Sequence, residues 1–231
     1  MFLGHSDEDK DKPLLLRAVE AIVAGPDDIR AIVHECDAEV RARPRSRDLS
    51  PEDLRVKTAD AIIERYARTC GRVGSLTAMA GAVPGLGTVV SLVGAAAADL
   101  AITMKYQIEM TMALAHLFGR DIAVEEEQRL CYAVAGLGVA TQAGMLSFQK
   151  FTVQSLKEAA KRLLKTRAKR WLFDLFKKLG LKLTERGILK AIPLGVGVAL
   201  SYTSNKKLTR YIGRRARDYF IETAPGAPGA P

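Results

Sequence analysis

The sequence predicts an all-α protein, a compact helical bundle that contains glycine- and alanine-rich apolar helical hairpins. Three observations lead to this fold class. Apolar residues recur at three- to four-residue spacing between recognisable helix caps, which is the period of an amphipathic helix. No segment alternates apolar and polar residues as a half-buried strand does. Aromatic residues make up only 6% of the 231 residues, and the many small residues favour closely packed helices.

Two amphipathic helices are predicted after an acidic, disordered start over residues 1–12. The first helix begins at Pro13, a residue that suits the first helical turn, and ends at Gly25. The second begins with an aspartate cap at residue 27 or 28 and ends at Pro44, which cannot continue a helix. The apolar spacing in both helices predicts one buried face and one solvated face.

A third helix has the clearest start in the sequence. It follows a basic loop over residues 41–48 and begins at Ser50, whose hydroxyl can cap the helix. Pro51 suits the first turn, and the two acids after it face the positive end of the helix dipole. The apolar stripe of this helix continues to about Cys70.

The most distinctive segment is an uncharged stretch of 26 residues over positions 73–98. Its length exceeds the roughly 18 apolar residues that make a segment a candidate membrane span. However, its glycines and alanines supply little hydrophobic surface, and Pro84, Gly85 and Gly87 form a P-G-x-G sequence typical of a turn. The stretch therefore predicts a helical hairpin rather than a simple transmembrane anchor.

The turn divides this hairpin into a short helix over about 75–83 and a long helix from Thr88 to about Leu117. Only the long helix could cross a bilayer, and it carries Asp99. Close packing of small residues occurs both in protein cores and between helices in membranes. The sequence alone leaves both alternatives open, a core hairpin and a membrane hairpin.

Two further helices are predicted in the middle of the chain. One begins near Glu125 with three consecutive acids and is apolar as far as Phe148. Residues 152–179 predict a basic amphipathic helix, which Gly180 ends. Its apolar stripe slips around residues 167–170, so a break is expected there.

The C-terminal part repeats the character of the first hairpin. Residues 191–205 are uncharged, and within them Pro193, Gly195 and Gly197 echo the proline–glycine turn. A basic helix is predicted over residues 206–220.

The net charge of +9 is unevenly distributed. Residues 155–218 contain 18 Lys/Arg and 4 Asp/Glu, whereas the rest of the chain is net acidic. This asymmetry predicts an anionic partner, either nucleic acid or the inner leaflet of a membrane. Nucleic acid is the weaker candidate because no nucleic-acid-binding motif is present and few aromatic residues could stack on bases.

A lipid-binding surface is predicted in the basic helix. Its lysines and arginines flank Trp171 and Phe176, as in helices that lie in the plane of lipid headgroups. We predict electrostatic docking followed by aromatic anchoring at these two side chains. The alternative is an ordinary solvated face of a core-packed helix. The docking residues are Lys161, Arg162, Lys165, Lys169 and Arg170.

Four polar residues interrupt the long apolar helix: Asp99, Lys105, Gln107 and Glu109. Lys105 and Glu109 are four residues apart and can pair on one helix face. Asp99 would need a partner if it is buried, and an arginine at position 210, 214 or 215 is the candidate. These residues serve either as a structural salt bridge or as a functional polar site in a membrane-facing cavity.

No catalytic, cofactor or metal site is predicted. The chain lacks a Walker lysine, a nucleophile elbow and an HExxH motif, so we favour a non-enzymatic protein. His5, His34 and His116 have no accompanying ligands at zinc spacing. The three cysteines predict no disulfide framework. The acidic start does not resemble a signal peptide, and a cytoplasmic protein is therefore expected.

The C-terminal segment IPLGVGVALSYTSNKKLTRYIGRRARDYF, over residues 192–220, resembles the signature of the EcsC family. The first hairpin, with its AAADL and FGRD sequences, resembles that family too, and the resemblance extends over about residues 55–221. It implies one bacterial helical domain, residues 13–222. The low-complexity Pro/Gly/Ala composition after this domain predicts a disordered tail over 223–231. The family is named from an operon that encodes an ABC transporter linked to protein export, which implies such a transporter or another membrane protein as partner.

Together these observations predict a protein that docks on anionic lipid at the inner face of the cytoplasmic membrane and inserts its apolar hairpins conditionally. The alternative is a soluble carrier of lipid or another apolar ligand, or a protein-interaction scaffold, in which the hairpins form an ordinary core. The sequence makes no prediction of oligomeric state.

Overall fold

The structure, a computed structural model, describes residues 11–76, 86–93, 95–142, 145–163, 168–189 and 197–225. These residues form α-helices and two short 3₁₀ helices, at 44–46 and 148–150, with no strand among them, which confirms the predicted all-α fold. The helices are α1 (Leu14–Glu20), α2 (Pro26–Arg41), α3 (Pro51–Leu76), α4 (Leu86–Val93), α5 (Ala95–Leu117), α6 (Glu125–Gln142), α7 (Val153–Leu163), α8 (Ala168–Leu189) and α9 (Gly197–Glu222).

Helix α5 lies at the centre of the bundle. It packs against α2, α3, α6 and α9, and it also contacts α1, α4 and α8. Its side chains are buried around most of the helix. Met104, Ile108 and Met110, for example, have no exposed surface. A helix that is apolar all round is stable only when other elements surround it. The central part of the long predicted hairpin helix is therefore core.

Helices α3 and α9 form the most extensive helix pair. The start of α3 matches its prediction, because the Ser50 hydroxyl oxygen accepts a hydrogen bond from the Asp53 backbone N–H at 3.1 Å. Helix α2 begins at Pro26, with Gly25 as the residue before it and no side-chain cap, so the predicted aspartate cap is wrong. Asp27 and Asp28 lie instead in its first turn, where they face the helix dipole.

Glycines let several helices approach closely. A Cβ atom on Gly138 of α6 would lie 2.6 Å from Ile212 Cδ1 of α9, far inside van der Waals contact. A Cβ atom on Gly213 of α9 would lie 2.8 Å from Ile63 Cγ1 of α3. Small residues at these positions thus bring α9 against both neighbours.

The turn glycines have a different outcome. Gly87 is the second residue of α4 and Gly197 is the first residue of α9, so both glycines lie at the start of a helix. Pro84, Gly85, Pro193 and Gly195 lie outside the described residues. The predicted long helix is present as α4 and α5, on either side of residue 94.

Helix α8 continues through Gly180 to Leu189, so the predicted end at Gly180 is wrong. A Cβ atom on Gly180 would lie 3.9 Å from Leu15 Cβ, which shows that α8 packs against α1 at this point. Burial of the neighbouring Leu179 outweighs the cost of glycine in a helix, about 1 kcal/mol. Helix α6 ends at Gln142, earlier than the predicted Phe148.

The end of the described chain is attached to the bundle. Arg120 Nη2 donates hydrogen bonds to the carbonyl and the hydroxyl oxygen of Thr223, at 3.0 and 2.9 Å. Thr223, predicted as the start of a disordered tail, is therefore buried and hydrogen-bonded, and the exposed Pro225 lies near Gly119. The three cysteines are free and buried. Over the described ranges, no helix combines the length and the apolar character that crossing a bilayer requires.

Candidate functional site

The end of α7 and the start of α8 carry the predicted docking residues. Lys161 and Arg162 are exposed in the last turn of α7, where cations suit the negative end of the helix dipole. Lys169 and Arg170 are exposed in the first turn of α8, where the dipole disfavours cations. The helix dipole therefore does not explain the position of this second pair. Lys165 lies outside the described residues.

Lys169 differs from the other bases because an acid lies near it. A hydrogen bond from Arg129 lowers the pKa of Glu125, and the charge of Lys169 lowers it further. Part of the Lys169 charge is therefore balanced within the protein. For Lys161, Arg162 and Arg170, the described part of the structure contains no carboxylate within ion-pairing distance.

The two predicted aromatic anchors have different positions. Trp171 is half-buried and lies beside the exposed Arg170. Phe176 has no exposed surface, and its ring lies 6.4 Å from that of Tyr132, between centroids, in the core. The prediction that Phe176 anchors the protein in lipid is therefore wrong for this fold, because the side chain faces α6 instead of the surface.

A cavity of about 490 Å³ joins Trp171 to Arg162. Its apolar wall comes from Leu137, Leu146 and Phe151, which belong to no recognisable motif in the sequence. The Tyr211 hydroxyl donates a hydrogen bond of 3.1 Å to the Phe151 carbonyl oxygen and thereby ties this wall to α9. Such a volume falls within the range of small-ligand pockets, about 300–1,000 Å³. The cavity thus combines two basic groups (Lys150 and Arg162), one carboxylate (Glu158), an indole and an apolar wall.

The predicted pair of Lys105 and Glu109 is confirmed. Lys105 Nζ lies 2.5 Å from Glu109 Oε1, and the same oxygen accepts a hydrogen bond of 2.9 Å from the Ala24 backbone N–H. Only 3% of the Glu109 side chain and 14% of the Lys105 side chain are exposed. The Lys105 ammonium also lies 4.4 Å from the centre of the Tyr106 ring. This geometry ties α5 to the segment after α1.

The field of Glu109 reaches the neighbouring helix α3. Burial raises the pKa of Tyr66 well above its usual range, and the negative charge of Glu109 raises it further. Burial likewise raises the pKa of the Cys70 thiol to about 12, with Glu109 contributing. Both groups therefore stay protonated at neutral pH, and neither is poised for nucleophilic chemistry.

The proposed partners of Asp99 have other neighbours. Arg210 makes two hydrogen bonds to Glu64, at 2.7 and 2.9 Å, and this charge pairing lowers the pKa of Glu64. Arg215 lies over the Tyr211 ring, 5.5 Å from its centre, and Arg214 is exposed. The Asp99 side chain lies outside the described part, so its pairing with an arginine stays a prediction.

Gln107 is fully buried, and neither its amide nitrogen nor its amide oxygen has a hydrogen-bond partner. A buried polar group without a partner costs about 1–3 kcal/mol. We therefore expect Gln107→Met, which keeps the shape of the side chain, to leave stability unchanged or to raise it by about 1–2 kcal/mol in urea unfolding. A loss above 1 kcal/mol would show instead that the amide makes a polar contact.

Metal binding finds no support in the part of the chain that the structure describes, where no three potential ligands form a cluster. Comparison of the chain with protein-family models, curated proteins and solved structures finds no match. The resemblance to the EcsC family consequently stays a prediction.

Proposed function

We propose that this protein binds the anionic inner surface of the cytoplasmic membrane peripherally, through the facing ends of α7 and α8. The observation that supports this most directly is the exposure of Lys161, Arg162 and Arg170 beside the half-buried Trp171. A basic residue close to anionic lipid contributes about 1 kcal/mol, and an indole is favoured at the headgroup level. Three such bases and one indole make a binding surface of useful strength.

Apolar side chains on the neighbouring helices extend this proposal. Helix α1 packs against both α4 and α8, and each of these three helices has an exposed large apolar residue. These are Leu14, Val90 and Leu181. After electrostatic docking, these side chains would be buried at a shallow depth in the membrane interface. Insertion of the apolar hairpins and contact with an ABC transporter, as the EcsC resemblance implies, belong to this proposal.

Flotation with vesicles of phosphatidylcholine and phosphatidylglycerol at low salt tests the docking surface. We expect the triple variant K161Q/R162Q/R170Q to bind more than tenfold more weakly than the natural protein, because three charge contributions of about 1 kcal/mol are lost. The matched control R43Q/R45Q/K57Q removes the same charge from exposed residues in the 3₁₀ region and α3. Absence of binding by the natural protein, or equal weakening in both variants, would contradict the proposal.

A second candidate function rests on the 490 Å³ cavity. Its apolar wall suits an acyl chain, and Lys150 and Arg162, which outnumber the single carboxylate of Glu158, suit an acidic head. In this alternative the protein carries a lipid or another apolar ligand rather than resting on a membrane. Organic extraction of purified protein followed by mass spectrometry separates the two functions, since a stoichiometric acyl compound supports the carrier. Its absence, together with vesicle binding, supports membrane docking.

A further inference from the structure

A second cavity lies beside the basic loop that follows α2. It has a volume of about 640 Å³ and is formed by the C-terminal half of α2, the 3₁₀ region, the start of α3 and the end of α5. We call it the arginine cleft, because Arg41, Arg47 and Arg55 line it. His34 and His116 line it as well, so residues that are 82 positions apart meet there.

The charges of the arginine cleft are unbalanced. Its one lining carboxylate, Asp37, is already engaged by Arg41 Nε at 2.6 Å and by the Thr58 hydroxyl at 3.1 Å. Arg47 and Arg55 are exposed, and within the described residues no acidic side chain pairs with either of them. Two guanidinium groups thus remain for a ligand. Planar guanidinium groups bind phosphate oxygens in a bidentate manner.

The loop that carries Arg47 is held in place. The Ser46 hydroxyl lies 2.8 Å from the Arg41 carbonyl oxygen and 2.5 Å from the Arg43 carbonyl oxygen. The Ser46 backbone N–H also donates to the Arg43 carbonyl oxygen at 3.0 Å. A loop fixed in this way loses little conformational entropy when a ligand binds.

Histidine and apolar groups complete the arginine cleft. Burial lowers the pKa of His116, and the charge of Arg30 lowers it further. Val33, Leu49 and Leu54 form an apolar wall. An occupant with a charged end and an apolar body therefore fits these surroundings, and the volume falls in the small-ligand range of about 300–1,000 Å³.

We propose that the arginine cleft binds a phosphate-bearing ligand, with Arg47 and Arg55 holding the phosphate oxygens and the leucines contacting the remainder. The ligand is either a soluble phosphate ester or the headgroup of a phospholipid, and both present the same oxygens. This site is independent of the α7–α8 docking surface, since it uses different residues on different helices.

Calorimetric titration with pyrophosphate tests the proposal. We expect saturable one-to-one binding, weakened more than tenfold in R47Q/R55Q and less than twofold in the matched control R43Q/R45Q. The control removes two guanidinium groups from the same loop but outside the arginine cleft. Thermal unfolding of each variant should show that the fold is kept, because the replaced side chains are exposed.

Vesicles that contain phosphatidic acid separate the two sources of phosphate. A headgroup ligand is indicated if R47Q/R55Q also loses vesicle binding, and a soluble ester if it loses only pyrophosphate. The proposal is overturned if the natural protein binds neither probe saturably, or if both variant pairs weaken binding equally. The K161Q/R162Q/R170Q variant should retain pyrophosphate binding, so failure of the docking surface and failure of the cleft are distinguishable.

Discussion

Replacement of Glu109 by glutamine is expected to lower the free energy of unfolding by about 3–5 kcal/mol, the cost of breaking a buried ion pair by removing one partner. The Lys105 ammonium would lose the negative charge that lies 2.5 Å away, while only 14% of its side chain reaches solvent. Glutamine keeps the size of the side chain and an oxygen for the Ala24 N–H. The loss therefore reports the missing charge and not a cavity. Urea unfolding monitored by circular dichroism provides the measurement.

A matched control for this variant is Glu125→Gln. Glu125 also forms an ion pair at four-residue spacing, with Arg129, but 65% of its side chain is exposed. Exposed pairs contribute about 0–1 kcal/mol, so we expect little change. If Glu109→Gln costs no more than Glu125→Gln, the buried pair does not stabilise the bundle.

The double variant K105M/E109Q tests the same pair without leaving a charge behind. It removes both charges but keeps the acceptor for Ala24. Apolar replacement of a buried pair is often neutral, so we expect the double variant to be more stable than E109Q alone. A double-mutant cycle with K105M then measures the coupling between the two side chains.

Local patterns were predictable from the sequence. The helical fold follows from apolar periodicity, and the Lys105–Glu109 pair follows from its spacing of four on one helix. The Ser50 cap follows from the residue types around Pro51. Each of these features depends on residues within one or two turns of each other, and neighbouring helices do not change them.

Features that depend on tertiary packing were not predictable. Trp171 and Phe176 belong to one apolar stripe, yet only the packing of α8 against α6 decides that Phe176 is the buried one. Gly180 signals a helix end locally, but contact with α1 overrides that signal. Four elements line the arginine cleft, and they bring His34 and His116 together. No motif or spacing in the sequence predicts this arrangement.

The close approach of α6 and α9 leads to the second large effect. We expect Gly138→Val to lower the free energy of unfolding by about 3 kcal/mol, because extra methyl groups in a packed core force side chains and backbone to move. A Cβ atom at position 138 would meet three atoms of Ile212, at 2.6, 2.9 and 3.1 Å. A change of rotamer at the end of the Ile212 side chain cannot relieve all three contacts. Urea unfolding measures the loss.

Two further variants separate overpacking from the intrinsic preference of valine. Gly87→Val places the same side chain in α4, where no residue that the structure describes lies within 4 Å of a Cβ atom, and should leave stability within about 0.5 kcal/mol of the natural protein. Ile212→Ala creates space beside position 138 and alone costs about 2–5 kcal/mol. Combined with Gly138→Val, it should cost less than the sum of the two, since the valine fills the space that the isoleucine leaves. Additive losses would show that Ile212 of α9 does not limit the size of the side chain at position 138.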